Sequence, residues 1–200
     1  LINMKKVWYA PNKHEAYGWE EIKAVEQCLR DGWLAGQGPK SVEFEKQIAK
    51  RFGKKYGVFV NSGSSACLLA IAALDLPKGS KIITPACTFA TTLAPIIQLG
   101  FQPVFVDVGL TDYQANIEDV IKAVTDDVKA IMLPNLIGNK PDWDLLKAGL
   151  DLIYRNDIYL IEDSADIITK TECTDVATTS FYASHVITAG GVGGMVMYND

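Results

Sequence analysis

The sequence predicts an α/β fold in which a mostly parallel sheet is covered by helices on both faces. Short, continuously apolar runs alternate with segments of helical spacing from Gly57 to Ile161. Strands of a parallel sheet are buried on both faces, so they lack the polar alternation of a half-exposed strand. The chain has 200 residues, 48% of them hydrophobic, which is enough for one domain with a sizeable core.

Two amphipathic helices are predicted before this alternation begins. The first covers 19–29, where Trp19, Ile22, Val25 and Leu29 share a face, and it ends at Asp31-Gly32. A glycine-punctuated loop is expected at 33–39, and a second helix at 41–52. Residues 1–16 are polar and predicted to be irregular. We assign 1–30 to an N-terminal segment and 31–200 to one large domain.

The alternation itself predicts the order of strands and helices. The apolar runs predict strands at 57–60, 81–84, 103–106, 128–133 and 158–161. The segments between them predict helices at 64–74, 88–99, 117–124 and 143–154. Further short strands are expected at 178–181, 186–188 and 195–198.

Composition excludes several classes of function. The net charge is −5 without a basic block, so nucleic acid is not an expected partner. No apolar run approaches the roughly 20 residues that span a bilayer. The four cysteines show no zinc spacing and are expected to be free thiols in the cytoplasm. The chain starts with Leu1 and stops directly after an apolar run, so we expect a fragment that lacks a small C-terminal domain.

The loops at the carboxyl ends of the strands are the places to look for a ligand. Asn61–Ser65 joins a strand to a helix N-terminus, where free N–H groups favour an anion. Phe89 could stack on a planar ring. Asp163, at the end of a strand, could hold a protonated pyridine nitrogen, and Asp166 could accept from a ring hydroxyl. Taken singly, each is as readily a helix cap, a turn glycine or a core aromatic.

His185 stands in a segment that begins Ser180-Phe181 and ends in glycines. A lone histidine in an apolar segment is more often a hydrogen-bonded core residue than a catalyst. The upstream loops change this balance, because together they are typical of a vitamin B6 phosphate site.

In its motifs the sequence resembles the DegT/StrS family of sugar aminotransferases, from about Gly18 to Asp200. The matching stretches are 60–66, 91–95, 103–107 and 136–139, together with the Ser-Phe and glycine frame around His185. The resemblance implies a fold-type-I, pyridoxal-phosphate-dependent large domain with a seven-stranded sheet. It implies cofactor binding by residues of the loops described above, namely Gly63, Ser64, Ser65, Phe89, Asp163, Asp166 and Ser180, and no metal ligand.

His185 takes the position at which ordinary members of the family carry the lysine that binds the cofactor. This departure, with Asp166 in place of the usual glutamine, is similar to the nucleotide-sugar 3-dehydratases of deoxysugar biosynthesis. These enzymes use pyridoxamine phosphate on a nucleotide-linked 4-keto-6-deoxyhexose. His185 would remove a proton from the cofactor methylene while the C3 hydroxyl leaves. The resemblance further implies a homodimer and a reductase partner, and it allows an iron–sulfur cluster whose ligands cannot be assigned.

Two other functions stay open at the level of sequence. One is a lysine-type aminotransferase that lost its lysine; the nearest lysine, Lys170, is read as solvated surface. The other is a non-catalytic relic on the same fold, against which the intact Asp163 and phosphate loop argue. A dinucleotide-binding fold is disfavoured, because no GxGxxG follows the first strand.

Overall fold

The structure, a computed structural model, describes residues 17–33 and 37–200. The predictions for residues 1–16 and for positions 34–36 of the 33–39 loop lie outside these residues. Within them, the helices are α1 (Trp19–Asp31), α2 (Pro39–Arg51), α3 (Gly63–Ala72), α4 (Ala90–Gln98), α5 (Ile117–Lys122) and α6 (Trp143–Leu152). The strands are β1 (Tyr56–Val60), β2 (Lys81–Pro85), β3 (Gln102–Val106), β4 (Val128–Pro134), β5 (Tyr159–Asp163), β6 (Val176–Ser180) and β7 (Gly194–Tyr198).

The seven strands form one sheet in the order β1-β7-β6-β5-β4-β2-β3. Only β7 runs against its neighbours; it pairs antiparallel with both β1 and β6. The predicted mostly parallel, seven-stranded sheet is therefore confirmed. Six strands point their carboxyl ends to the same edge of the sheet, and the loops that follow them meet there.

Apolar side chains cover both faces of the sheet. Successive residues of a strand point to opposite faces, so Ile82 packs with α3 and α4, whereas Ile83 packs with α5 and α6. Helix α2 joins the second face through Ile48, and Phe52, which directly follows the helix, packs with it on β7. Full burial of such a side chain contributes about 1.5–3 kcal/mol, while an exposed ion pair contributes about 0–1 kcal/mol. These apolar layers are what hold the strand ends in place.

The strand predicted at 186–188 is wrong. These residues lie in a loop from Phe181 to Gly193 that bonds to itself rather than to the sheet. The Phe181 amide donates to the Gly193 carbonyl, and the Ala189 amide to the Phe181 carbonyl. The Thr188 hydroxyl also donates to the Phe181 carbonyl, at 3.0 Å. A threonine that bonds locally in this way closes a loop instead of pairing in a ladder.

Helix α1 is confirmed within two residues, but none of its residues is buried. Its apolar face, Trp19, Ile22, Val25 and Leu29, is between 52% and 75% exposed. The periodicity therefore predicted the helix correctly, and no described part of the chain covers the face that the periodicity marks. No helix among the described residues has the length and apolar character that would let it cross a membrane.

Candidate functional site

A cavity of about 480 Å³ opens at the carboxyl edge of the sheet. The segments that follow β1, β2, β4, β5 and β6 supply its walls, and the loop before β7 closes one side. Its position is the one expected for ligands of parallel α/β sheets. A cavity of this volume accommodates a small cofactor.

The floor of the cavity includes the N-terminus of α3. Ser62 caps this helix by accepting a hydrogen bond from the Ser65 amide at 3.1 Å. The Gly63 backbone lies so close to Ser180 that a Cβ at position 63 would stand 2.8 Å from the Ser180 Cβ. Glycine is therefore required at position 63. Helix amides and the Ser64 and Ser180 hydroxyls together form a cradle of the kind that binds a phosphate.

Asp163 ends β5 at the wall of the cavity and is only 8% exposed. Thr92 Oγ1 donates a 2.8 Å hydrogen bond to Asp163 Oδ2, and Thr88 Oγ1 donates in turn to Thr92 Oγ1 at 2.9 Å. Burial raises the pKa of the Asp163 carboxyl, and the hydrogen bond from Thr92 opposes that shift. A buried carboxylate with one well-bonded oxygen and no basic side chain beside it is suited to a cationic ligand.

Cys67 and Thr178 lie behind Asp163. The Cys67 Sγ is 3.5 Å from Thr178 Oγ1, and Thr178 Oγ1 is 3.5 Å from Asp163 Oδ1. Burial, together with the nearby Asp163 carboxylate, raises the pKa of the Cys67 thiol well above its usual value. Cys67 is therefore a neutral thiol at ordinary pH, and it adds no charge to the site.

His185 also lines the cavity and contacts Asp166. Its Nδ1 lies 3.3 Å from Asp166 Oδ1, and Asp166 Oδ2 accepts a 2.9 Å hydrogen bond from the Ile137 amide. The histidine side chain is 23% exposed, so it is reachable from the cavity without lying free in solvent. An imidazole beside a carboxylate can take up and return a proton near neutral pH.

The structure brings almost all of the sequence-predicted site residues together at this cavity. Seven of them line it, namely Gly63, Ser64, Phe89, Asp163, Asp166, Ser180 and His185. Ser65 does not line it; its amide and hydroxyl bond to Ser62 instead. Phe89 is 69% exposed at the rim, where it precedes α4. Their roles in binding a cofactor stay predictions.

The sequence analysis missed Thr92 and the residues around Leu136. Thr92 follows Thr88 by one helical turn and reaches Asp163 from α4. A hydroxyl one turn after the strand-to-helix junction was the signal that could have found it. Leu136 and Asn135 also line the cavity; they follow β4, in one of the strand-end loops where a ligand was expected, but neither was named as a site residue.

Among the described residues that line the cavity there is no lysine. Lys170 forms an ion pair with Glu172 on the surface, as the sequence predicted. Lys54 is buried elsewhere and donates to the Thr171 and Thr174 carbonyls at 2.9 and 2.5 Å. Within residues 17–33 and 37–200, no cluster of histidine, cysteine or carboxylate side chains could hold a metal ion.

Comparison with known proteins gives one family. The model of the DegT/DnrJ/EryC1/StrS aminotransferase family matches residues 16–200. GDP-4-keto-6-deoxy-D-mannose 3-dehydratase of Escherichia coli O55:H7 is 36% identical over 91% of this chain and 50% of its own length. GDP-perosamine synthase of Vibrio cholerae is 32% identical over 90% of this chain and 50% of its own length.

A solved structure agrees with the sequence relatives. Escherichia coli GDP-4-keto-6-deoxy-D-mannose-3-dehydratase with bound hydrated PLP superposes with a TM-score of 0.85 and 34% identity, over 99% of this chain and 52% of that one. The chain thus spans about half the length of the curated relatives it matches.

Proposed function

Because the chain belongs to the DegT/DnrJ/EryC1/StrS aminotransferase family, we propose that it is part of a pyridoxamine-phosphate-dependent 3-dehydratase. The proposed substrate is a nucleotide-linked 4-keto-6-deoxyhexose, and the proposed setting is deoxysugar biosynthesis of the lipopolysaccharide type. The Escherichia coli relative, a GDP-4-keto-6-deoxy-D-mannose 3-dehydratase, supports this substrate class. The proposal needs residues for three tasks: holding the phosphate, holding the ring, and moving a proton.

The observation that carries the proposal is His185 in a cavity whose described lining includes no lysine. A transaminase of this fold needs a lysine to bind the cofactor covalently and to move its protons. Histidine can move protons but forms no such bond. A site built in this way favours a reaction that keeps the amine form of the cofactor free to react with a ketone.

The residues present fit the cofactor. The Gly63–Ser180 contact leaves no room for a Cβ, and it places two serine hydroxyls at a helix N-terminus, which suits the phosphate. Asp163 lines the cavity, is largely buried and accepts hydrogen bonds from Thr92 and Thr178, and such a carboxylate suits a protonated ring nitrogen. When bound, pyridoxamine phosphate supplies an amine that condenses with a ketone and a ring that accepts electrons.

Each of this chain's residues then has a defined task. Ser64 and Ser180 bind the phosphate, and Phe89 covers one face of the ring. Asp163 keeps a positive charge on the ring nitrogen, because a buried carboxylate gains strongly from a cationic partner. His185 would accept and return the proton at the carbon that bears the amine.

An aminotransferase of the same family is the second candidate. GDP-perosamine synthase among the relatives favours it. A non-catalytic relic is the third candidate. The buried Asp163 with its Thr92 partner argues against the relic, since a buried carboxylate is costly to keep without use. Homodimer formation and a reductase partner stay predictions from the family resemblance.

Borohydride trapping separates these candidates. The full-length protein, mixed with a stoichiometric amount of pyridoxal phosphate and treated with borohydride, should give no lysine adduct on peptide mapping. A His185→Lys variant should give one at position 185, and it serves as the positive control. A stoichiometric adduct at a single lysine of the wild-type protein would contradict the dehydratase proposal and favour the aminotransferase.

A further inference from the structure

Ile137 has a backbone conformation that its side chain disfavours. Its φ and ψ are 50° and 31°, in the left-handed region. Among the described residues, four other than glycine have positive φ, and Ile137 is the only β-branched one. A β-branched residue in this region is a true outlier. Its side chain is 66% exposed, so burial of the side chain does not explain the conformation.

This conformation directs the Ile137 amide toward the Asp166 carboxylate. The Ile137 N–H donates to Asp166 Oδ2 at 2.9 Å. The other oxygen of that carboxylate, Oδ1, stands 3.3 Å from Nδ1 of His185. The strained backbone therefore holds the carboxylate that faces the histidine. Outliers of this kind persist where the surrounding structure fixes them, and they cluster at functional sites.

Buried hydrogen bonds hold the Leu136–Gly138 turn, which contains Ile137, against strand β5. Asn135, which precedes it, is 1% exposed. Its amide donates to the Asp163 carbonyl at 2.8 Å, and its Nδ2 donates to Glu162 Oε1 at 2.6 Å. Glu162 is itself fully buried. The turn is thus anchored to the same strand, β5, that carries Asp163 into the cavity.

Two further hydrogen bonds hold the turn against the segment between β3 and α5. Gln114 Nε2 donates to the Leu136 carbonyl at 3.2 Å. Asn139, just after the turn, donates through Nδ2 to the Asp112 carbonyl at 3.2 Å. Both partners belong to the segment between β3 and α5. These contacts fix both ends of the turn, and the Ile137 amide between them points toward Asp166.

We propose that the Leu136–Gly138 turn is a positioning device for His185. The Ile137 amide fixes Asp166, and Asp166 fixes the imidazole with its proton on Nδ1, so that Nε2 is the nitrogen free to accept a proton from the cavity. Asp166 is then a positioning residue rather than a ligand of the cofactor ring. The inference rests on the proposed function only in giving His185 the role of base. A carboxylate on Nδ1 selects the tautomer of a catalytic histidine in this way.

The tautomer can be read directly by ¹⁵N NMR of histidine-labelled full-length protein at about pH 8, where an ordinary imidazole is neutral. The His185 signal is assigned as the one missing from a His185→Ala sample. We expect the proton on Nδ1 in the wild-type protein. In Asp166→Asn the amide can donate to Nδ1, so we expect the proton to move to Nε2. Turnover should then fall on the order of 100-fold with KM unchanged, the usual size for misplacing a catalytic group.

A matched pair of glycine variants tests the turn itself. Gly138 and Gly79 have nearly the same φ, +83° and +82°, and neither has an atom within 3.4 Å of an added Cβ. Gly138→Ala and Gly79→Ala should therefore lower Tm equally, by roughly 2–4 °C. Only Gly138→Ala should disturb the His185 tautomer and reduce kcat, because only that turn holds Asp166.

The outcomes distinguish this inference from the proposed function. A proton on Nε2 in the wild-type protein, or an Asp166→Asn variant with unchanged tautomer and kcat, would overturn the positioning role. Equal effects of Gly138→Ala and Gly79→Ala on the tautomer would overturn the role of the turn. An Nδ1 proton that depends on Asp166, in a protein that performs no elimination, would support the positioning role and refute the proposed function alone.

Discussion

Replacing His185 with alanine should reduce turnover by about 100- to 10,000-fold, the range for loss of a general base. The side chain lines the cavity and is held beside Asp166, so no other described imidazole can take its place. Binding of pyridoxamine phosphate should persist, because the Gly63–Ser180 cradle and Asp163 do not depend on His185. Steady-state kinetics and equilibrium binding of the cofactor, measured on the same preparation, check both statements.

Val186→Ala is the matched control for this variant. Val186 is the next residue of the same loop and is 61% exposed, so its truncation should leave turnover and cofactor binding unchanged. A His185→Ala protein with turnover close to that of the wild type would remove the basis of the proposed mechanism. Equal losses in His185→Ala and Val186→Ala would indicate a general disturbance of the loop.

Replacing Asp163 with asparagine should reduce turnover by about 150- to 5,000-fold. The estimate corresponds to about 3–5 kcal/mol, the usual loss when one partner of a buried ion pair is removed. Asparagine keeps the shape and can still accept the hydrogen bond from Thr92, so the loss reports the missing charge. Affinity for pyridoxamine phosphate should also fall. Unchanged turnover in Asp163→Asn would show that this carboxylate does not hold the ring nitrogen.

The same variant should stabilise the protein when no cofactor is bound. Burial raises the pKa of Asp163 above its usual 3.8, so near that pKa the folded state binds the proton more tightly than the unfolded state. Stability of the cofactor-free protein is therefore lost as pH rises through the interval from 3.8 to the raised value, and it stays lost above it. The Asp163→Asn variant does not lose this stability, because asparagine does not ionise.

Thermal denaturation at two pH values tests whether Asp163→Asn stabilises the cofactor-free protein. The Tm of cofactor-free Asp163→Asn should exceed that of the wild type at about pH 8, and the difference should shrink as the pH falls toward the ordinary carboxyl pKa of 3.8. Saturating pyridoxamine phosphate should reverse the order at the higher pH, because only the wild-type protein gains the ion pair. A difference that is independent of both pH and cofactor would mean that the buried carboxylate is already compensated within the protein.

The sheet was predictable because its strands carry their own signal. Runs such as Ile82-Ile83 and Leu160-Ile161 are apolar on both faces, and that pattern marks a covered parallel sheet whatever surrounds it. The same rule failed at Val186–Thr188. There a short apolar run lies in a loop because Thr188 and Phe181 bond within the loop, a choice that depends on partners distant from the run itself.

The site was predictable where residues follow strands and not where backbone geometry creates the contact. Asp163 and Ser180 end strands, so strand prediction alone placed them at one edge. The Ile137 amide reaches Asp166 only through a left-handed backbone that isoleucine disfavours. No local preference could have indicated that conformation, because the contacts that hold the turn come from Glu162 and Gln114, in other parts of the chain.

Helix α1 is a case in which the sequence predicts an apolar face but not the partner that covers it. Its periodicity identifies an apolar face correctly, yet the four residues of that face are exposed. Amphipathic spacing states that a face is suited to burial, and the covering partner is set by residues elsewhere.

The most direct test of the account is the fate of the C3 oxygen. The full-length protein, loaded with pyridoxamine phosphate, is given a nucleotide-linked 4-keto-6-deoxyhexose, and the sugar product is examined by mass spectrometry. The reaction balances because the sugar is reduced when it loses the C3 hydroxyl, while the aminomethyl carbon of the cofactor would be oxidised to the aldehyde and its nitrogen released as ammonia. We predict a sugar that keeps its C4 ketone and has one oxygen atom fewer. A 4-amino sugar that retains the C3 hydroxyl would contradict the account and identify an aminotransferase.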